Sequence, residues 1–217
     1  MRCCFVRHGE TPWNAERRLQ GHRDIPLNAL GLAQAEAAAR YLAKRHAQIP
    51  FQAIVSSDLQ RARQTADAIG NALSLPVQAE PGLRERHYGD FEGKTTAEAR
   101  AFAEIAYDAL VRRDDLAAAP GNAEPLADMV ARIESCLHAL AVTYAAQSVV
   151  LVTHGGVLDV LYRRAIGREL TGPRDAPIPN AGLNWLDLSL AGDRLRWTLV
   201  AWGETVHLED ASLDAIP

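Results

Sequence analysis

The chain has 217 residues, 48% hydrophobic and 23% charged, with 27 Asp and Glu against 23 Lys and Arg and a formal net charge of −4. This composition is globular and excludes a disordered chain, a collagen and a coiled-coil rod; the acidic balance argues against nucleic acid as a partner, which calls for a basic face. Three cysteines, adjacent at Cys3 and Cys4 and remote at Cys136, make no disulfide framework and read as free thiols in a reducing compartment.

Cys3 to Arg7 is a short apolar run closed by Gly9 and predicts a buried first strand. The apolar run before Arg7 is too short for the core of a signal peptide. No run approaches the roughly 20 apolar residues of a membrane span. A cytoplasmic protein with no membrane partner is therefore expected. Gly31 to His46 carries Leu32, Ala35, Ala39 and Leu42 on one helical face, and Pro50 follows it. Phe51 to Val55 predicts a second strand. Ser57-Asp58-Leu59-Gln60 has the form of a capping box, with Ser57 at the N-cap, and opens a helix through Leu73. Val77 to Ala79 is a brief extended piece, and Pro81 to Gly93 is a charged, glycine-rich loop.

Thr96 to Arg113 and Leu126 to Tyr144 read as two helices, joined by a Pro- and Gly-containing loop over 117–125. Ser148 to Thr153 is a strongly apolar strand, followed at once by His154-Gly155-Gly156 and a helix to Ile166. After a Pro-rich loop over 168–181, Leu183 to Leu190 and Leu195 to Trp202 predict an antiparallel pair turning near Gly192-Asp193, then an acidic tail from Gly203. Strands alternating with helices predict an α/β fold, a three-layer sandwich with helices on both faces of a mostly parallel sheet that the terminal hairpin makes mixed. No repeat or linker divides the chain. One domain over 1–217 is expected, with the helix pair as a small helical cap inserted at about 94–146.

Three polar clusters directly follow predicted strands: Arg7-His8-Gly9, Ser56-Ser57-Asp58 with Arg61 one turn on, and His154-Gly155-Gly156. Parallel strands end on one sheet edge, so Arg7, His8, Arg61 and His154 are expected to converge there. Two guanidiniums, two imidazoles and two helix N-termini suit a phosphate. One neutral histidine can attack phosphorus and form a covalent intermediate. The other, protonated, stabilises charge on the transferring group; spacing does not say which is which. A leaving alkoxide needs a proton, and the 81–93 loop offers Glu85, Asp90 or Glu92 as the acid. No His-x-His or His-Glu-x-x-His spacing occurs, and crowded arginines oppose a cation. Neither a metal nor any other cofactor is expected.

These blocks resemble the histidine phosphatase superfamily, also called phosphoglycerate mutase-like. Arg7-His8-Gly9-Glu10-Thr11 with Trp13-Asn14 matches its first signature, and Gln20-Gly21 with Asp24, Pro26-Leu27 and Gly31 continues it. Ser56-Ser57-Asp58-Leu59-Gln60-Arg61-Ala62-Arg63-Gln64-Thr65-Ala66 is similar to the second block. Leu83-Arg84-Glu85-Arg86-His87-Tyr88-Gly89-Asp90-Phe91-Glu92-Gly93 is similar to the third, and Val152-Thr153-His154-Gly155-Gly156 to the fourth. The resemblance implies that His8 is the phosphorylated nucleophile, that Arg7, Arg61 and His154 hold the phosphoryl group with Asn14 and the Gly155 N–H as further donors, and that Glu85 is the proton donor. It makes Gln20, Gly21, His22, His87 and Tyr88 candidates for the substrate pocket. The family's Gly-Glu-Ser is replaced by Ala123-Glu124-Pro125, and its late Asn-Ala-Ser by Asn180-Ala181-Gly182. Glu85-Arg86-His87-Tyr88-Gly89 resembles the mutase form of the loop. However, Lys94-Thr95-Thr96 stands where the mutases carry Asn-Lys, and Arg112-Arg113 is followed by Asp114-Asp115 rather than Ser-Tyr. The resemblance therefore implies the small bacterial-type phosphatase branch, with a small phosphorylated metabolite as substrate and a monomer or homodimer as the working unit. A cofactor-dependent phosphoglycerate mutase and a non-catalytic phosphate-binding protein are the alternatives.

Overall fold

The apolar runs at Cys3–Val6 and Val149–Val152 are buried on both faces of one sheet, which is why neither alternates with polar residues. The computed structural model describes residues 1–113 and 122–209; the expected 117–125 loop and the acidic tail lie partly outside them. The sheet has six strands: β1 (Arg2–Arg7), β2 (Phe51–Ser56), β3 (Val77–Ala79), β4 (Ser148–Thr153), β5 (Leu183–Ala191) and β6 (Arg194–Glu204). Their order is β3-β2-β4-β1-β5-β6. The first four in that order are parallel, and β5 and β6 are antiparallel to their neighbours. The mixed α/β sheet is the one expected.

Besides a short α1 (Pro12–Ala15), the helices are α2 (Ala29–His46), α3 (Gln60–Leu73), α4 (Thr96–Arg112), α5 (Leu126–Thr143) and α6 (Gly155–Ala165). Cys4, Val6, Val150 and Val152 meet α2 and α3 on one face. Cys3, Phe5, Val149 and Leu151 meet α5 and α6 on the other. Helices therefore cover both faces. The stretch 94–146 divides between two environments. α4 joins Phe91 in a separate small cluster through Ala99, Tyr107 and Leu110, whereas α5 lays Met129, Ile133 and Leu137 into the core on the sheet.

Two local expectations differ. Leu32 is 48% exposed. The inner face of α2 begins one residue earlier, at Gly31, where a Cβ would lie 2.0 Å from the Glu10 carbonyl oxygen. The buried positions then run through Ala35, Ala38, Ala39 and Leu42, and Leu32 is turned roughly 100° away. Ser57 does not cap α3. The N-cap is Leu59, and the Asp24 carboxylate accepts from the Gln60 N–H at 2.6 Å. The Ser57 hydroxyl is instead 2.8 Å from His154, a contact across the sheet edge.

Candidate active site

Three strand ends are stitched together at one edge. The His8 N–H donates to the Thr153 carbonyl at 3.0 Å and the Ser57 N–H to the Val152 carbonyl at 2.9 Å, continuing the parallel ladder one residue past β1 and β2. His8, Ser57 and His154 are thus fixed by backbone. The His8 and His154 ring centroids stand 5.1 Å apart.

The hydrogen bonds assign the tautomers. His8 Nδ1 lies 2.7 Å from the Gly9 carbonyl, which can only accept, so Nδ1 carries the proton and Nε2 keeps its lone pair. The Ser57 hydroxyl accepts from the Leu59 N–H at 3.4 Å and gives its own hydrogen to His154 Nε2. His154 Nδ1 therefore carries the remaining proton, and it is buried without a protein partner. Arg61 is 1% exposed and held by the carbonyls of Gly21 and Arg23, each at 2.8 Å. Arg7 donates to the Ile178 carbonyl at 2.6 Å. The Nε atoms of both arginines are buried and have no partner. Burying an unpaired donor costs on the order of 1–3 kcal/mol, so three such donors around His8 mark a place built for an acceptor-rich ligand.

Glu85 reaches the site from the 81–93 loop. Its carboxylate accepts from the Gly156 N–H and from the Arg86 N–H, both at 2.9 Å. Its own carbonyl accepts from Arg132 at 2.9 Å and from His22 at 2.8 Å, which fixes the loop. The other two acids are elsewhere. Asp90 is exposed, and Glu92 is spent on the N–H groups of His22 and Tyr88. Asn14 uses its Oδ1 to accept from the Thr11 N–H at 3.1 Å, leaving Nδ2 as its donating end. Asn180 donates to the His8 carbonyl at 3.0 Å and ties the 168–182 loop to the nucleophile's backbone. Gly155 opens α6, with His154 at the N-cap. A Cβ on Gly155 would lie 3.2 Å from Arg174 Nη1 and 3.6 Å from Arg7 Nε.

The field around the histidines is cationic. Burial, then Arg61 and Arg7, hold His8 well below its ordinary value. Burial, then Arg61, His8 and Arg7, likewise hold His154 well below its ordinary value, which makes it a neutral donor through Nδ1 rather than the imidazolium expected from sequence. Arg7 is itself lowered to about 10, by burial first and then by Arg174. This has a consequence for stability. Unfolded histidines titrate near 6.5, while the two folded ones stay neutral far below that. As pH falls through 6.5 the unfolded chain takes up protons that the folded chain refuses, so stability falls by about 1.4 kcal/mol per pH unit for each histidine. Melting scans from about pH 7.5 down to about pH 5.5 should show the loss, and His154→Gln should flatten it. Equal slopes in the two proteins would contradict the assignment.

Of the five residues put forward for the pocket, Tyr88 lines the cavity beside Gly156. His22 and His87 stack edge to face at 5.0 Å, and Gly21 supplies a carbonyl to Arg61. Gln20 is buried, with its Oε1 unpartnered. Sequence reasoning did not reach Ser57 as a partner of His154, Asn180 as a strap, or Arg174. Arg174 comes from an irregular loop with no motif around it. Among the described residues no helix is long and apolar enough to cross a membrane.

Comparison with known proteins supplies the family context. The model of the histidine phosphatase superfamily (branch 1) matches residues 3–205. The chain is 37% identical to phosphoglycerate mutase-like protein 4 of Arabidopsis thaliana, over 94% of its own length and 86% of the relative's. It is 35% identical to the metal-independent phosphoserine phosphatase of the same plant, over 94% and 82%. The structure of a mycobacterial glucosyl-3-phosphoglycerate phosphatase superposes with a TM-score of 0.78 at 34% identity, covering 94% of this chain and 99% of that one.

Proposed function

The chain belongs to the histidine phosphatase superfamily, and from that premise we propose that it is a metal-independent phosphomonoesterase acting on a small phosphorylated metabolite through a phosphohistidine on His8. The observation that carries the reading is the His8 tautomer. Its Nδ1–H is held by the Gly9 carbonyl, so Nε2 keeps its lone pair, with the Arg7 and Arg61 charges acting on the ring and the His154 ring 5.1 Å away. In the first step His8 Nε2 attacks phosphorus, the P–O ester bond breaks, and Glu85 gives its proton to the leaving alkoxide. In the second, Glu85 takes a proton from water as the oxygen attacks phosphorus, the P–N bond breaks and phosphate departs. Arg7, Arg61, His154, Asn14 and the Gly155 N–H neutralise the phosphoryl oxygens throughout, and such preorganised donors are worth most where charge grows.

Two named phosphatases among the relatives and structural neighbours support hydrolysis over isomerisation. On this reading residues 1–217 form one domain that works in the cytoplasm as a monomer or homodimer, with neither nucleic acid nor membrane as partner. The experiment is phosphate release from a panel of phosphorylated metabolites, with and without chelator. Release unaffected by chelator is the expected result. Interconversion of 3-phosphoglycerate and 2-phosphoglycerate with no release from any substrate would establish the mutase instead.

A further inference from the structure

The segment 177–182 lies across Arg7 and His8. The Ile178 carbonyl accepts from the Arg7 guanidinium at 2.6 Å, and the Gly182 carbonyl accepts from the Arg7 N–H at 3.2 Å. The His8 carbonyl accepts from the Asn180 side chain at 3.0 Å and from the Ala181 N–H at 3.3 Å. The sheet thus holds the His8 N–H, through Thr153, and this strap holds the His8 carbonyl. The His8 ring makes one hydrogen bond, to its own neighbour Gly9, so the backbone decides where Nε2 stands. The strap does not keep its shape unaided. Ala181 is left-handed, with φ 53°, a conformation that costs an alanine free energy and persists only where the surroundings fix it.

Two side chains far along the sequence do so. Trp202, on β6, donates its indole N–H to the Pro177 carbonyl at 2.9 Å, with its ring 5.0 Å from that of Tyr162. His207, in a short 3-10 turn just past β6 (Val206–Leu208), places Nε2 2.9 Å from the Ala181 carbonyl. A carbonyl can only accept, so Nε2 carries the proton. His207 is buried, and its Nδ1 has no partner. Burial holds the ring below its ordinary value, so it is a neutral donor. An imidazole buried with one nitrogen unpaired is a poorer packing residue than leucine. What the histidine adds is the bond to Ala181. The strap is gripped at Pro177 and Ala181, and its contacts to Arg7 and His8 come from Ile178, Asn180, Ala181 and Gly182 beside those grips.

We propose that Trp202 and His207 are positioning residues that act through the 177–182 strap to hold the His8 imidazole and the Arg7 guanidinium in line with the phosphoryl group. The inference rests on the phosphatase reading above and adds the residues that aim its nucleophile. Reacting groups must be held to within a fraction of an ångström, and partners one step behind them supply that precision.

The test is rapid quenching of the intact protein with saturating 4-nitrophenyl phosphate labelled in its phosphoryl group. It gives two readouts, the amount of phosphoenzyme and the rate constant for its formation. His207→Leu keeps the apolar volume and removes the donor, and Trp202→Phe keeps a ring and removes the indole N–H. In each the rate constant is expected to fall about 10-fold at full phosphoenzyme yield, and His207→Gln, whose amide donates from the place of Nε2, should restore it to within about twofold. A strap that merely stabilised the fold would do the opposite, with yield falling along with the folded fraction and the rate constant unchanged. That result in either variant would overturn the role of the residue replaced. His207→Gln as slow as His207→Leu would overturn the hydrogen bond to Ala181 as the cause. If His207→Leu does not fold, Trp202→Phe and His207→Gln decide by the same rate constant. Wild type that forms no phosphoenzyme and releases no phosphate would overturn the phosphatase reading itself, whereas wild type and variants reacting at one rate would overturn the strap alone.

Discussion

His8→Ala is expected to lower phosphate release by on the order of 10⁴-fold or more, the scale on which removing a covalent nucleophile acts. Little structural damage should accompany it. The His8 ring makes one hydrogen bond, to its own neighbour Gly9, and the backbone bonds to Thr153 and Ala181 survive the change. Relieving a buried imidazole among Arg7 and Arg61 should leave the fold intact and the anion site in place. The variant should therefore bind inorganic phosphate while failing to turn over. Residual activity within tenfold of wild type would mean that water, rather than His8, attacks phosphorus.

Glu85→Gln should cost about 10²- to 10⁴-fold on alkyl phosphates, the usual worth of a general acid. The amide keeps one oxygen for the Gly156 N–H and gives up the acceptor for the Arg86 N–H, while Arg132 and His22 still hold the Glu85 carbonyl, so the loop holds its place. The loss should shrink on aryl phosphates with acidic phenols, because such leaving groups depart without a proton. That dependence separates an acid from a merely structural carboxylate, which would lose the same factor on every ester. Asp90→Asn and Glu92→Gln give the contrast. Asp90 is exposed, and Glu92 braces His22, Tyr88 and, at 3.5 Å, Arg23, so its loss should lower stability without changing the leaving-group dependence.

Much of this was legible in the chain because the signals are local. Val149–Val152 and Cys3–Val6 are unbroken apolar runs of strand length, and a strand that ends in a polar cluster announces its edge. What stayed hidden depends on contacts between distant segments. Ser57 reads as a helix cap by spacing, and only the arrival of His154 from β4 redirects its hydroxyl. Leu126, Met129, Val130, Ile133 and Leu137 mark one face of α5, but the pattern does not say whether that face meets the sheet or a cap. Arg113 and Arg174 pair with Asp159, and the three come from separate segments. The available signal was on α6, where Asp159 and Arg163 stand four apart amid Val157, Leu158, Val160 and Leu161. Charges at that spacing inside an otherwise apolar run predict a buried pair.

Phosphate is expected to pass through the Nε2 of His8. The most direct measurement is rapid quenching of the enzyme with a substrate labelled in its phosphoryl group, followed by mapping of the labelled peptide. Label is expected on His8, stable to alkali and labile to acid as a phosphoramidate is, formed and lost at least as fast as turnover. Label on His154, or turnover with no phosphoenzyme at any quench time, would contradict it.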